Sequence, residues 1–216
     1  MRDALVAAYR GLGRAGLIHG NSGNISVRSA AGMLISPSGT TPERITPESL
    51  VEMGLDAAVP GASSEWALHA AIYGERPEIG AVVHTHSDAC TALACLGEGL
   101  PAFHYGMAGF GGDVRCAPYV TFGTPELAEL TVAAIRGRLA CLLANHGMVT
   151  AGKDLATAVF NAETLERMCR QYLLARAAGS VRILSAEEMR AAQDRYKTYG
   201  KPSRSSSRRL RAGVAD

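Results

Sequence analysis

No two of the five cysteines form a CxxC pair, and their number is odd (Cys90, Cys95, Cys116, Cys141, Cys169). That argues against a disulfide framework and against a thiolate zinc site. The thiols are expected as small buried hydrophobes in a reducing compartment. No apolar run approaches the length that spans a bilayer. The opening MRDALVAAYRGLGRAG has an acid at Asp3 and lacks the long apolar stretch of a secretory leader. A cytoplasmic protein with no membrane partner is expected. Nor is there a surplus of one charge. The formal net of +2 comes from the end of the chain, where KPSRSSSRRLRAGVAD holds five Lys or Arg against one Asp. The remainder carries 17 basic and 19 acidic residues, so a basic face for nucleic acid is not expected on the fold. Residues 201–216 read as a disordered basic tail and residues 1–200 as a single domain. A hydrophobic content of 47% over that length supplies one core.

Periodicity and punctuation order the rest. Asp3 to Ala15 reads as an amphipathic helix stopped by Gly16. NISVR and GMLIS, separated by Ser-Ala-Ala-Gly, read as a hairpin. A helix is expected to begin at Ser63 or Ser64 and to end before Pro77. EIGAVVHTH is a buried strand, after which Ser87 can cap a short helix through about Cys95. TPELAELTVAAIRG has a Thr cap and Pro at its first helical position and ends at Gly137. LACLLANHGMVTAG reads as strand, tight turn and strand. The longest helix is expected from about Asp154 to Ala178, and SAEEM has the form of a capping box for a last helix. Strands and helices mix without a regular βαβ repeat, which predicts an α/β sandwich around one mostly antiparallel or mixed sheet.

Side chains alternate along a strand, so His84 and His86 point to one side and can reach one ion; alone, such a pair is better explained by two structural histidines. His146, in LLANHGMV, stands where an apolar strand stops abruptly. Three imidazoles with an open position match catalytic rather than structural zinc. Glu65 is expected in the first turn of its helix, where the dipole favours a carboxylate. His69, four residues on, reads as its i,i+4 partner rather than as a ligand. Glu65 itself is a candidate metal ligand, base, or both in turn. Three polar clusters, GNSGN at 20–24, SPSG at 36–39 and Ser63-Ser64, are separately turns and caps. The third lies at a helix N-terminus, a natural anion site. A phosphate held there would hang its carbon skeleton over Glu65.

The constellation resembles the class II aldolase/adducin family, most closely the L-fuculose-1-phosphate aldolase type. GNSGNISVR, MLISPSG, ASSEW, AVVHTH, HYGMAGFGG, CAPYVTFGT, ANHGMV and RYKTYG follow the family's order at compatible spacing. The resemblance implies a three-layer α/β/α sandwich with a central mostly antiparallel sheet, a homotetramer, and zinc near a subunit boundary. It implies zinc ligation by His84, His86, His146 and Glu65, the last also acting as acid and base. Gly23, Asn24, Ser38, Gly39, Ser63 and Ser64 match positions around a substrate phosphate. Tyr105 matches a catalytic tyrosine from the neighbouring subunit, and Tyr199 lies in a segment that can close over the site. The implied reaction is reversible cleavage of a ketose 1-phosphate to dihydroxyacetone phosphate and a small aldehyde. Candidate substrates are L-fuculose 1-phosphate and a 5-deoxypentulose or 5-methylthioribulose 1-phosphate. Asn145 stands where the family member compared has Gln, and the stretch from Tyr105 to Cys116 is one residue shorter; both bear on the aldehyde end. A sugar-phosphate 4-epimerase of the superfamily resembles a site with Asp in place of Glu65. A methylthioribulose-1-phosphate dehydratase would keep the histidines, whereas an adducin-like structural module would have no use for them.

Overall fold

The computed structural model describes residues 1–198; Tyr199 and the tail at 201–216 lie outside the described residues. The elements follow in the order α1 (Arg2–Arg14), β1 (Asn24–Ser29), β2 (Gly32–Ile35), β3 (Val51–Met53), α2 (Trp66–Glu75), β4 (Ala81–Thr85) and α3 (Asp88–Ala94). A 3₁₀ turn (Tyr105–Phe110) precedes β5 (Cys116–Ala117), α4 (Pro125–Ile135), β6 (Ala140–Leu143), β7 (Gly147–Gly152), α5 (Leu155–Ala178) and α6 (Ala186–Thr198). Among the described residues the strands form one seven-stranded sheet in the order β3-β2-β1-β4-β7-β6-β5. Every pairing is antiparallel except β5 with β6.

Strand parity divides the interior into two cores. Ile25, Val27, Ala81, Val83, Leu142 and Met148 face α1, α3 and α5. Their neighbours Val82, Cys141, Leu143, Val149 and Ala151 face α2 and α4. Helices therefore cover both faces, and both sides of the central strands are dry, the expected α/β/α sandwich.

The caps are mostly those that the sequence announces. Thr124 accepts from Leu127 N–H at 3.2 Å and Asp154 from Thr157 N–H at 2.7 Å. Ser185 and Glu188 close a reciprocal capping box at 2.8 and 3.1 Å. Three details differ from expectation. Ser87 makes no capping bond to α3; the Glu166 carboxylate of α5 accepts from Ala89 and Cys90 N–H instead, at 2.8 and 3.0 Å. The helix expected from Ser63 or Ser64 begins at Trp66, so Glu65 is its cap residue rather than part of its first turn. All five thiols are free, but only Cys90, Cys141 and Cys169 are buried; Cys116 is half-buried and Cys95 exposed. No described helix is long and apolar enough to cross a membrane.

Candidate metal centre and active site

The site forms at one end of the sheet. Asn24 opens β1 directly opposite His84 of β4, and His86 follows one residue past the end of that strand. His146 sits in the turn between β6 and β7, where Asn145 takes the left-handed conformation (φ 54°) that such a tight reversal needs. Glu65 comes down from the start of α2. Two glycines allow these segments to approach. A Cβ on Gly23, itself at φ 89°, would lie 2.9 Å from the carbonyl oxygen of His84. One on Gly147 would collide with the Thr85 carbonyl and press on the His86 ring.

The three imidazoles form a near-threefold propeller. Ring centroids are 4.8, 4.8 and 4.7 Å apart, with planes at 73°, 69° and 70°. Nε2 of His84 lies 2.9 Å from Nε2 of His86 and 3.0 Å from Glu65 Oε2, while Nε2 of His146 lies 3.2 Å from Glu65 Oε1. Zinc–nitrogen bonds of about 2.05 Å give a coordination tetrahedron with edges of about 3.4 Å, close to these spacings. Hydrogen bonding makes the same case. His84 Nδ1 is 3.0 Å from the carbonyl oxygen of Met148, so it must donate; burial opposes a charge on the ring, but the Glu65 carboxylate outweighs it and raises the pKa, so Nε2, facing that carboxylate and another imidazole, holds either a proton or a metal ion. Glu65 Oε1 is buried and accepts no hydrogen bond. The converging acceptors are satisfied by a cation among them, a proton on His84 or a metal ion in its place, and among the described residues Glu65, His84, His86 and His146 are the group that could hold a metal.

Charge states follow from the surroundings. Burial opposes ionisation of Glu65, but His84, then His146 and Asn24, outweigh it and hold the carboxyl well below the usual range. Burial, then His84, pushes both His86 and His146 down to about 4, the first with a further contribution from His146. Both are neutral at physiological pH, the form in which imidazole binds metal.

Beside this group opens a cavity of about 460 Å³. Gly23, Asn24, Ser38, Gly39, Ser63 and Ser64 all line it, as do Glu65, His86 and His146. No described lining residue is Lys or Arg, so an anion there would meet neutral donors and the N-terminus of α2. Tyr119 and Phe122 form part of its wall. Sequence gives these two no role, because a loop between Pro118 and Gly123 has no periodicity to orient a ring. They are 63% and 65% exposed.

Tyr105, expected in a neighbouring subunit's site, and His69, expected as the helical partner of Glu65, do not line this cavity. Tyr105 is 61% exposed, lies against His104 and Tyr196, and lines a separate depression with Phe160 and Arg167. His69 is not bonded to Glu65 as its i,i+4 spacing suggests. Glu65 is a cap residue at φ −100°, ψ 18°, so its side chain leaves the helix for the histidines. His69 bonds Asn24 and Ser26 instead, and burial, then His84, lowers its pKa to about 3. A larger cleft of about 950 Å³, bounded by parts of β5, α4 and α6, contains no metal-ligating group of this kind among the described residues.

Known proteins resemble the chain in sequence and in fold. The chain is 43% identical over 204 residues to a 5-methylthioribulose-1-phosphate/5-deoxyribulose-1-phosphate aldolase of Rhodospirillum rubrum, covering 93% of this chain and 92% of that protein. It is 41% identical over 192 residues to the L-fuculose phosphate aldolase of Escherichia coli, covering 87% and 89% respectively. A solved L-fuculose 1-phosphate aldolase superposes with a TM-score of 0.86 at 37% identity, over 91% of this chain and 95% of that one. Residues 3–173 match a family signature as well, and with it the chain belongs to the class II aldolase and adducin N-terminal domain family.

Proposed function

We propose that the chain is a zinc-dependent aldolase that reversibly cleaves a ketose 1-phosphate to dihydroxyacetone phosphate and a small aldehyde. The observation that carries this is the position of Glu65, which shares one carboxylate between the histidine group and a cavity lined with neutral anion donors. His84, His86, His146 and Glu65 would hold a divalent ion, which when bound would supply Lewis-acid stabilisation of the charge left when a carbon–carbon bond beside a carbonyl breaks. The chain's own groups do the rest. Asn24, Ser38, Gly39, Ser63 and Ser64, with the Gly23 loop, hold the phosphate through hydroxyl, amide and backbone donors at the start of α2. Glu65 moves the proton at the carbon of the dihydroxyacetone phosphate half. Tyr119 and Phe122 give the aldehyde end an apolar wall, which suits a deoxy or methylthio group as well as the methyl of a 6-deoxy sugar.

The reading extends to assembly. Tyr105 of one subunit serves the site of its neighbour in a homotetramer, exchanging the proton on the aldehyde-side oxygen. Residues 1–200 act as one catalytic domain, with 201–216 as a tail, in the cytoplasm. The deciding experiment is a panel of L-fuculose, 5-deoxypentulose and 5-methylthioribulose 1-phosphates assayed for dihydroxyacetone phosphate. Release from at least one is expected. Water elimination without that product would make the protein a dehydratase, and silence on the whole panel would refute the aldolase reading.

A further inference from the structure

Asn24, Ser26 and Arg28 occupy alternate positions of β1. Ile25 and Val27 between them fill the core on the α1 and α5 side, so the three polar side chains share the face beneath α2. Glu65, His69 and Tyr73 stand four residues apart along α2 and its cap. Two residues of a strand advance about 6.6 Å and four of a helix about 6.0 Å, so the rows stay in step over two repeats. The contacts join them into one seam. Asn24 Nδ2 donates to Glu65 Oε2 at 3.1 Å, and Asn24 Oδ1 lies 2.5 Å from His69 Nε2. His69 Nδ1 is 2.7 Å from Ser26 Oγ, which is 2.8 Å from the Tyr73 hydroxyl. At the far end the Arg28 guanidinium donates to the carbonyls of Tyr73, Arg76 and Ile79 and lies 4.7 Å from the centre of the Tyr73 ring.

Every group in the seam has one orientation. An ionised carboxylate only accepts, so the amide nitrogen of Asn24 faces Glu65 and its oxygen faces His69. The imidazole must then carry its proton on Nε2 and present a lone pair at Nδ1. The Ser26 hydroxyl donates to that lone pair and accepts from Tyr73. Asn24, Ser26, His69 and Tyr73 are all buried, and a buried row of this kind is tolerated only when fully paired. It cannot pass a proton to Glu65, because an amide stands between imidazole and carboxylate. What it can do is fix an angle.

We propose that this seam orients the Glu65 carboxylate toward the metal and the cavity, and that His69 is a positioning residue acting through Asn24. The proposal rests on Glu65 being ligand and base as proposed above. It assigns to the second buried row of α2 a function beyond packing, since apolar side chains would fill the same layer without desolvation cost.

The test compares two polar replacements in the full chain. In His69→Gln the side-chain nitrogen reaches the place of imidazole Nε2 and can still donate to Asn24. In His69→Asn the amide reaches only the place of Nδ1. Zinc(II) affinity by chelator competition, turnover and thermal unfolding are read for both. The expected result is a Gln variant within about threefold of wild type and an Asn variant weakened about 10-fold or more in zinc(II) affinity, as for loss of an outer-shell partner. Turnover falls in the Asn variant by a similar factor with KM little changed, at matched unfolding temperatures. Variants that bind zinc(II) alike, whether both near wild type or both weakened, overturn the proposal. If either fails to fold, Asn24→Ala removes the amide that joins His69 to Glu65, and wild-type zinc(II) affinity in that variant overturns it equally. A wild-type chain that binds zinc(II) but cleaves no ketose 1-phosphate refutes the proposed function and leaves this comparison intact.

Discussion

Glu65→Gln changes one atom of the site and removes its charge. Oε2 accepts from Asn24 Nδ2 at 3.1 Å, so the Gln carbonyl oxygen takes that place. Without the ion its amide nitrogen then turns toward His146 Nε2, 3.2 Å from the present Oε1, and finds a lone pair that it gives up when a metal binds. Both positions stay filled by a group able to bond, so folding stability should change by about 1 kcal/mol or less. The three imidazoles remain to hold most of the metal. Turnover has no such substitute, because an amide cannot take up a proton at neutral pH. Loss of a general base costs about 10²–10⁴-fold, equivalent to about 3–5.5 kcal/mol in the barrier. The gap between the two effects makes the variant diagnostic. Thermal unfolding, metal content and solvent exchange of the carbon-bound proton of dihydroxyacetone phosphate should be measured on the same preparation. A wild-type unfolding temperature with exchange slowed at least about 100-fold is expected. Rapid exchange in the variant would assign the base elsewhere, and a metal-free or unfolded variant would reduce Glu65 to a structural ligand.

His86→Ala removes one blade of the histidine propeller and should cost more zinc(II) affinity than the about 10–100-fold of an outer-shell loss, with activity lost in parallel; full activity after thorough chelation would sink the metal reading. Hydrogen bonds to a charged group contribute about 1.5–3 kcal/mol each, so a dephosphorylated ketose that forfeits two of them should fall about 100-fold or more in kcat/KM. Equal efficiency on the free sugar would remove the phosphate from the neutral donors around Ser38, Ser63 and Ser64. Tyr105→Phe and Glu65→Gln proteins should each be nearly inactive, yet co-assembled chains should regain activity if Tyr105 serves a neighbouring site. Activity no greater than the parents' sum would place Tyr105 in its own subunit or outside the chemistry.

The helices were legible because their signals are local. Apolar spacing places Leu5, Tyr9 and Leu12 of α1 on one buried face, and Thr124, Asp154 and the Ser185–Glu188 pair mark their own helix starts. β3 and β5, three and two residues long, are too short to show a period and exist because the neighbouring strand offers an edge. The cap of α3 was not legible for the opposite reason: Glu166 lies 77 residues from the amide it accepts from, and a nearby serine gave the expected motif without the bond. The histidines were readable because strand parity and an interrupted strand are both visible in one dimension. Tyr119 and Phe122 belong to a loop, where no periodicity says which way a ring will turn.

β1 shows where a sound local rule fails. Asn-Ile-Ser-Val-Arg alternates polar and apolar, the pattern of a strand with one wet face. Here the strand is third of seven and helices lie on both sides, so the polar face is dry and must be paired from above. The partner pattern is equally visible in sequence, as Glu65, His69 and Tyr73 at intervals of four. Read within the helix alone, that interval pairs Glu65 with His69. The pairing assumes that both residues have helical geometry, and the cap residue does not. Once Glu65 swings out of the helix toward the sheet, Asn24 is the group that meets both, and the side-chain row of the strand inserts between members of the helical row. Polar positions at every second strand residue and every fourth helix residue, in parallel segments with nearly equal rise, therefore mark a buried seam rather than two solvated faces. The seam leads from Arg28 at the C-terminal end of α2 to the carboxylate at its start, so a change far along the helix can act on the site without touching it.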